Sequence, residues 1–301
     1  MDAQHFLGLE ATDDPLRWRL PVTPAVCTPG RFLYGGCGLA AGIVALEAAA
    51  GRPTVWATAQ YLAHAASGTV LDFEVVVAAV GRATSQARAI GRQGRREVLT
   101  VNAALGRVRS ELSETWVEAP VVANPGDCPL QEVPPLFADT ILDRVEHRVA
   151  RGRLFSQLDG RPGPPDSAFW VRVPGHLEPS AATLAVIGDY VSGGVSQPLG
   201  MRTMGRSLDN TLRVATLVPT EWVLCDIRMH ALAHGFGHGL AHLWAEDGTL
   251  LATASQSISV RPWPGNAAVA TPGAALAETA STQSDGTQPT PGERASAPDA
   301  R

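Results

Sequence analysis

Apolar and polar residues alternate along much of this chain, and a period of two is the pattern of a β-strand with one buried face. The alternating stretches lie in both halves of the sequence, at residues 17–22, 54–63, 70–80, 85–117, 145–151, 169–173, 207–217 and 222–230. Glycine-containing turns separate several of them, which favours hairpins and antiparallel pairing. The pattern therefore predicts a protein built mainly from antiparallel sheet.

Two hairpin patterns lie about 150 residues apart and resemble each other. One covers residues 85–105 and the other residues 239–258, and each contains a strand, a turn with glycine and a second strand. A pattern present twice indicates duplication of a domain, because a solenoid needs three or more units. Only the second copy carries a polar residue, Gln256, where the first offers Ala104 or Leu105. We therefore expect two structural halves, with the chemistry in the second.

Two segments are apolar on every face, which is typical of helices buried on all sides. The first follows Gly35-Gly36 and continues to Ala50, and the second runs from Ser180 to Val191. Pro179 and Ser180 stand where helix-start signals are expected. A helix followed by strands in each half predicts an α+β fold, with a helix lying against an antiparallel sheet.

Changes of composition indicate where the halves begin and end. Residues 119–136 contain five prolines and predict a connection between an N-terminal structural half at 1–118 and a C-terminal catalytic half at 137–263. From residue 264 to 301 the chain is rich in alanine, threonine, proline and serine, with almost no large apolar side chains. Such a tail cannot bury enough surface to offset its ordering entropy, so we expect it to be disordered.

The charge of the chain excludes one class of function and leaves a smaller possibility open. The formal net charge is −5, and all 24 basic residues are arginine. A nucleic-acid-binding protein needs a basic surface, so we expect no nucleic-acid partner. Five arginines in and beside the first hairpin could still grip phosphates bidentately or could line a solvated strand face: Arg82, Arg88, Arg92, Arg95 and Arg96.

The cysteines and the apolar runs bear on the compartment. The four cysteines lack CxxC spacing and are expected to be free thiols in a reducing cytoplasm: Cys27, Cys37, Cys128 and Cys225. The first residues include an early acid and no basic segment, so no secretory signal is expected. The longest apolar run, 38–50, contains Glu47 and is shorter than the ~20 residues that a bilayer requires. We expect a soluble cytoplasmic protein.

Asp189 is the strongest single candidate for chemistry. It follows Val186 by three residues and Ala185 by four, so on a helix it shares a face with apolar neighbours. A carboxylate in that position is partly desolvated, which raises its pKa and suits it to proton transfer. The alternative is an acid in a frayed last turn that points to solvent, and the sequence leaves both open.

A second candidate group lies at the start of a strand. Ser207, Asp209 and Asn210 follow a glycine-containing loop. On a regular strand Ser207 and Asp209 share one face and Asn210 takes the other. Turn chemistry, in which such side chains bond nearby backbone groups, is the favoured explanation of the segment in isolation. Gln256 interrupts a later strand, where a glutamine usually faces solvent.

Other patterns of reactive residues carry less weight. His230, His234, His238 and His242 recur every four residues, but the intervening glycines argue against a helix, and no acidic third ligand is evident, so no metal site is expected. The nearest match to a nucleophile elbow, Gly205-Arg-Ser-Leu-Asp, lacks the second glycine. The sequence has no P-loop or dinucleotide fingerprint, and no cofactor is expected.

The order of four segments resembles the acyl-CoA thioesterase II family. These are FLYGG at 32–36, the Gly-Asp-Tyr helix end at 188–190, RSLDNTLR at 206–213 and TASQSISVR at 253–261. The resemblance covers about residues 8–263. It implies a double hotdog fold, in which each of two tandem domains is a long helix wrapped by an antiparallel sheet, and by analogy a homo-oligomer.

The resemblance also implies a reaction and the residues that perform it. The family uses an Asp, a Thr or Ser, and a Gln to activate water, and these fall on Asp189, Ser207 and Gln256. Asp189 would accept a proton from a water that attacks the thioester carbonyl of acyl-CoA, and backbone N–H groups or an amide would stabilise the oxyanion. Cys37 follows the Gly-Gly pair where the family often has glutamine.

Two other functions remain compatible with the sequence. One is a double hotdog that binds acyl-CoA without hydrolysing it. The other is a hotdog enoyl-CoA hydratase or dehydratase, which would need an Asp and a His across the acyl chain. His176 is the only histidine in the second helix or its approach.

Overall fold

A large antiparallel sheet with few helices makes up the fold, as the alternation predicts. The computed structural model describes residues 1–108, 110–174 and 178–264. The strands of the described residues are β1 (Glu10–Ala11), β2 (Arg17–Pro21), β3 (Thr54–Tyr61), β4 (Val70–Val80), β5 (Thr84–Gln93), β6 (Arg96–Gly106), β7 (Glu146–Arg151), β8 (Asp166–Arg172), β9 (Thr203–Ser207), β10 (Asp209–Val214), β11 (Val223–Ala233), β12 (Phe236–Ala245) and β13 (Leu250–Pro262). The α-helices are α1 (Ala3–Leu7), α2 (Gly35–Ala50), α3 (Ala181–Gly188), α4 (Val191–Gly194) and α5 (Ser196–Leu199).

The order of the strands is the same when counted inward from either edge. It runs β1-β2-β4-β5-β6-β3 and then β10-β13-β12-β11-β8-β7, and β9 also pairs with β13. The central β3–β10 pair joins the two halves, with Thr58 opposite Thr211 and their hydroxyl oxygens 2.7 Å apart. Both halves belong to the compact unit Met1–Pro262, and a second unit is Trp263–Arg301. The tail predicted to be disordered lies outside the described residues, apart from Pro264.

The two hairpins detected in the sequence are β5–β6 and β12–β13. Gln256 pairs with Gly239, which in turn pairs with Met229 beside a bulge. Ala103 occupies the same place in the first half, beside the bulge that follows Val77. Ala103 is therefore the counterpart of Gln256.

The prediction that Ala104 or Leu105 corresponds to Gln256 is wrong, because these residues lie one and two positions beyond Ala103. The second hairpin has one residue more between paired positions than the first, since Gly239 pairs with Gln256 whereas Ala87 pairs with Ala103. Apolar alternation does not locate this extra residue.

The helices and strand ends differ from expectation at three places. The buried helix expected at 180–191 ends at Gly188, and α4 begins again at Val191. The stretch expected to continue to Val117 ends at Gly106, whose φ of 157° breaks the strand. The strand expected to end at His230 continues to Ala233.

The proline-rich connection packs against the outer face of the second half of the sheet. The Trp170 indole N–H donates to the carbonyl of Ala123 at 2.9 Å. A small second core forms there from Cys128, Ala168, Trp170, Trp222, Leu224 and Trp244. All four cysteines are free thiols, as predicted, and all four are buried. In the described part of the chain, no helix has the length and apolar character needed to cross a membrane.

Candidate active site

Asp189 lies in the interior, at the point where α3 ends. Its residue is 2% exposed, so the alternative of a frayed acid facing solvent is wrong. The backbone N–H of Gly36, at the start of α2, donates to Oδ2 at 2.7 Å. The carboxylate of the second half is therefore held by the backbone of the first half.

Three side-chain donors converge on the other carboxylate oxygen. Gln256 donates from Nε2, Asn210 donates from Nδ2 at 3.2 Å, and the Ser207 hydroxyl donates at 3.4 Å, all to Oδ1 of Asp189. The structure thus brings together Asp189, Ser207 and Gln256, the three residues predicted from the sequence. Their catalytic role stays a prediction.

Ser207 and Asn210 face the same carboxylate, although regular alternation puts them on opposite faces. Ser207 pairs with Ile258 and Thr211 pairs with Ser255. Ser207 and Thr211 are four residues apart, whereas their partners on β13 are only three residues apart. The extra residue is accommodated between β9 and β10 and reverses the facing of the side chains beyond it. The expectation that Ser207 and Asp209 share a face is therefore wrong.

Gln256 is fixed by hydrogen bonds at both ends of its amide. Its Oε1 accepts from the backbone N–H of Ser192 at 3.0 Å, and its Nε2 also donates to the Ser207 hydroxyl at 3.3 Å. The residue is 2% exposed and points to the inner face of the sheet. Because Oε1 is occupied by a donor, Nε2 must face Asp189, and the amide cannot rotate without losing both contacts.

Gly35 and Gly36 allow α2 to approach α3 closely. A Cβ on Gly36 would lie 2.8 Å from the carbonyl oxygen of Ala185 and 2.9 Å from Cβ of Asp189. A Cβ on Gly35 would lie 3.0 Å from Oδ2 of Asp189. The Tyr61 hydroxyl donates to the carbonyl of Gly35 at 2.7 Å and closes the same side of the site. The glycine pair is needed for space.

Burial raises the pKa of Asp189 to about 7. The hydrogen bonds from Gly36, Gln256, Ser207 and Asn210 lower the pKa, but the loss of solvation is the larger effect. A carboxylate with a pKa near the ambient pH can both accept a proton and return it. The site therefore combines a buried base with fixed hydrogen-bond donors.

The buried tyrosine and cysteine side chains near the site stay neutral. Burial raises the pKa of Tyr34 and Tyr61 well above the usual tyrosine value, and the nearby Asp189 charge adds to this effect. Burial likewise raises the pKa of the Cys37 thiol far above its usual value. Cys37 is therefore a poor nucleophile despite its place beside the Gly-Gly pair.

Asn210 and the backbone of Gly36 belong to the site, but neither was among the predicted catalytic residues. Asn210 is fully buried, and among the described side chains its Oδ1 is one of the buried polar atoms with no hydrogen-bond partner. The segment that contains it was recognised, but regular alternation assigned it to the wrong face. The Gly-Gly pair marked a helix start and gave no indication of its partner 153 residues away.

The histidine series does not form a single row on one strand. His230 is in β11, His238 and His242 are in β12, and His234 is in the turn between them with φ of 53°. The rings of His230 and His238 lie 5.6 Å apart, and His242 stacks on Trp244. Across the described residues, no three His, Cys, Asp or Glu side chains are grouped so that they could hold a metal ion.

The chain was compared with family profiles, curated sequences and solved structures of known proteins. The sequence profile of the family "acyl-CoA thioesterase C-terminal domain" matches residues 125–260. No curated protein sequence matches the chain. A solved protein of Novosphingobium aromaticivorans, provisionally assigned as a thioesterase, is 30% identical, with a TM-score of 0.75 over 83% of this chain and 97% of that one.

Two more distant structures show the same fold. A hotdog-fold protein of Alicyclobacillus acidocaldarius is 21% identical, with a TM-score of 0.75 over 87% of this chain and 98% of that one. Acyl-CoA thioesterase II TesB2 of Mycobacterium marinum is 17% identical, with a TM-score of 0.68 over 87% of this chain and 99% of that one.

These similarities show the class to which the protein belongs: it has a hotdog fold and is related to thioesterases. The chain belongs to the acyl-CoA thioesterase family, as its sequence resemblance implies.

Proposed function

We propose that this protein is a thioester hydrolase that converts acyl-CoA and water into a free acid and coenzyme A. The observation that carries the proposal is the buried Asp189 carboxylate, which receives hydrogen bonds from Ser207 and Gln256. The match of residues 125–260 to the acyl-CoA thioesterase C-terminal domain supports the substrate class.

In the proposed mechanism Asp189 is the general base. Ser207 and Gln256 hold a water molecule beside the carboxylate, and Asp189 accepts its proton as the oxygen attacks the thioester carbonyl carbon. The tetrahedral intermediate then breaks its C–S bond, and the proton held by Asp189 passes to the departing sulfur. The products are a carboxylic acid and the free thiol of coenzyme A.

Water rather than Ser207 is the proposed nucleophile. A serine nucleophile is most often activated by histidine, and no histidine is among the described side-chain partners of Ser207. The described side-chain partners of the Ser207 hydroxyl are Asp189 and Gln256. Trapping of an acyl ester on Ser207 after rapid mixing with substrate would contradict this assignment.

The oxyanion of the intermediate needs donors, and α2 begins beside Asp189. A helix N-terminus carries exposed N–H groups and a partial positive charge. Each donor directed at an oxyanion contributes about 2.7–4 kcal/mol in enzymes where one was removed. We propose that the start of α2 supplies part of this stabilisation, together with the amide of Asn210, since both N–H groups of Gln256 already donate to Asp189 and Ser207.

The decisive experiment measures thiol release from a panel of acyl-CoA thioesters by wild type, Asp189→Asn and Asp209→Asn. Asp209 is the matched control, since its carboxylate accepts from the Ser257 N–H on the other side of the strand. Loss of a general base should lower kcat by about 100- to 10,000-fold. Equal rates in wild type and Asp189→Asn would refute the mechanism.

The same panel separates the alternative functions. A protein that only binds acyl-CoA would release no thiol but would raise its melting temperature with ligand. A hydratase would instead deplete the absorbance of an enoyl thioester. The hydrogen-bond partners of the Asp189 carboxylate are Gly36, Ser207, Asn210 and Gln256, with no histidine among those described. His176 lies outside the described residues.

We also propose that the chain is a double hotdog, with domains at 1–118 and 137–263 joined by residues 119–136. The mirrored strand order and the matching bulges after Val77 and Met229 support this division. One helix lies against each half, α2 against β3–β6 and α3 against β10–β13. A cytoplasmic location and a homo-oligomeric state are extensions of the proposal, and the four free thiols support the first.

A further inference from the structure

Arg206 and His64 are joined by a hydrogen bond at the exposed surface beside the Asp189 site, and the charge of the exposed Arg96 acts on the same histidine. Arg206 is in β9, directly before Ser207, while His64 follows β3 and Arg96 begins β6. A guanidinium N–H of Arg206 donates to Nε2 of His64. Arg206, His64 and Arg96 are called the cationic cluster below.

The backbone places the cluster where the two halves of the sheet meet. The N–H groups of residues 62 and 63 donate to the carbonyl of Val98 at 2.9 and 3.1 Å, which ties the segment before His64 to the start of β6. The N–H of Tyr61 donates to the carbonyl of Leu208 at 3.0 Å. The segment carrying His64 therefore lies between the beginning of β6 and the end of β9.

Neither arginine of the cluster has an ion-pair partner within the described residues. No carboxylate at 1–108, 110–174 or 178–264 forms an ion pair with Arg206 or Arg96. Arg92 of the same hairpin differs, since it pairs with Glu74 and Glu97.

The histidine of the cluster acts as an acceptor. Partial desolvation lowers the pKa of His64, and the charges of Arg206 and Arg96 lower it further. At neutral pH the ring is uncharged and can accept the Arg206 hydrogen bond through Nε2. The cluster thus presents two guanidinium charges whose mutual repulsion an anion would relieve.

We propose that the cationic cluster binds a phosphate group of the coenzyme A portion of the substrate. The inference rests on the thioesterase function proposed above. The thioester must enter the buried site beside Ser207, and the phosphates stand at the far end of the pantetheine arm, on the surface. Guanidinium groups fit this task because their paired N–H donors match the oxygens of a phosphate.

The test compares two thioesters with the same acyl group, one on coenzyme A and one on pantetheine, which has no phosphate. The ratio of kcat/KM for the coenzyme A thioester to kcat/KM for the pantetheine thioester should fall about tenfold in Arg206→Gln and in Arg96→Gln. Loss of one charge-assisted contact has an effect of about that factor on binding. Arg213→Gln is the matched control, an exposed arginine of β10 without a described ion pair. Its ratio should stay within twofold of wild type.

A third thioester, on dephospho-coenzyme A, identifies the bound group. If Arg206→Gln weakens use of acyl-CoA but not of the dephospho form, the cluster holds the 3′-phosphate. If it weakens both, the cluster holds the pyrophosphate. Either result supports the proposal.

An unchanged ratio in folded Arg206→Gln and Arg96→Gln would overturn the cluster as a phosphate site while leaving the hydrolase intact. If wild type hydrolyses none of the thioesters, the proposed function fails instead. Calorimetry with free coenzyme A then tests the cluster alone. Binding by wild type and Arg213→Gln but not by Arg206→Gln supports it, and equal binding by all three contradicts it.

Discussion

The backbone N–H of Gly36 donates a 2.7 Å hydrogen bond to Oδ2 of Asp189, so the first half of the chain contributes directly to the site of the second. The first hairpin has no polar residue at the position of Gln256, since its counterpart there is Ala103. That half is nevertheless more than a passive scaffold. The close approach of α2 to α3 also explains why two glycines begin α2.

Gly36→Ala should damage both folding and catalysis. The added methyl group would lie 2.8 Å from the carbonyl oxygen of Ala185, so the two helices would have to separate. Overpacking of this kind costs about 1–3 kcal/mol of unfolding free energy. We expect the loss in denaturant titrations, together with a lower kcat. Gly193→Ala is the control because a Cβ there has no atom within 4 Å, and equal behaviour of the two variants would contradict the packing argument.

The activity should depend on pH through Asp189. Burial raises the pKa of this carboxyl to about 7, and only the ionised form can act as a base. We therefore expect kcat/KM to rise as the pH increases towards 7 and to level off above it. A pH profile from 5 to 9 with a stable substrate checks this. An acid limb near the ordinary aspartate pKa would show that Asp189 is solvated or is not the base.

Asn210→Leu tests the residue that alternation placed on the wrong face. The Asn210 hydrogen bond lowers the pKa of Asp189, so its removal should move the acid limb of the pH profile upward. The loss of activity should therefore be greater at pH 6 than at pH 8. The fold should tolerate the change, because leucine also removes the unpartnered Oδ1 atom. A uniform loss at all pH values would assign Asn210 a role other than tuning Asp189.

Particular residues show how far the sequence determines the site. Asp189, Ser207 and Gln256 came from a resemblance of ordered segments, and the structure brings their side chains together. The sequence did not identify Asn210 and Gly36 as site residues, for two different physical reasons. The bulge between β9 and β10 reverses the facing of Asn210, and the Gly36 contact joins helices that are distant in sequence.

The fold was predicted better where the pattern is local. Val70–Val80 is a strand with the predicted bounds, and the turns of both hairpins fall at glycines with positive φ, Gly94 and Gly248. The end of α3 was missed because Gly188 is apolar like its neighbours. Gly188 packs against Ala254, and a methyl group at position 188 would lie 2.8 Å from the Cβ of Ala254. This requirement for glycine comes from tertiary packing, which the local sequence does not reveal.

The hydroxyl of Ser207 should matter more than the exact side chain. Ser207→Ala removes the group that contacts both Asp189 and Gln256, and we expect kcat to fall about tenfold or more, as for the loss of one charge-assisted hydrogen bond. Ser207→Thr retains the hydroxyl and should recover most of the rate. Ser257→Ala, an exposed neighbour of Gln256, is the control. Failure of threonine to restore activity would show that shape rather than hydrogen bonding governs this position.

The stability of the protein should fall as Asp189 ionises. Its pKa is raised in the folded protein from an ordinary value of 3.8 to about 7, so its contribution to stability is complete below pH 4 and disappears as the pH rises through 7. A shift of this size corresponds to about 4 kcal/mol between the two limits.

Asp189→Asn lacks this titration. The free energy of unfolding of the variant minus that of wild type should therefore increase as the pH rises. Urea titrations of both proteins at pH 4.5, 6, 7 and 8.5 measure the difference. The gain should be steepest between pH 5 and 7 and small above 8, where wild type is fully ionised. Parallel curves for the two proteins would show that the carboxylate keeps its solvation in the fold, which would remove the physical basis for assigning it as the base.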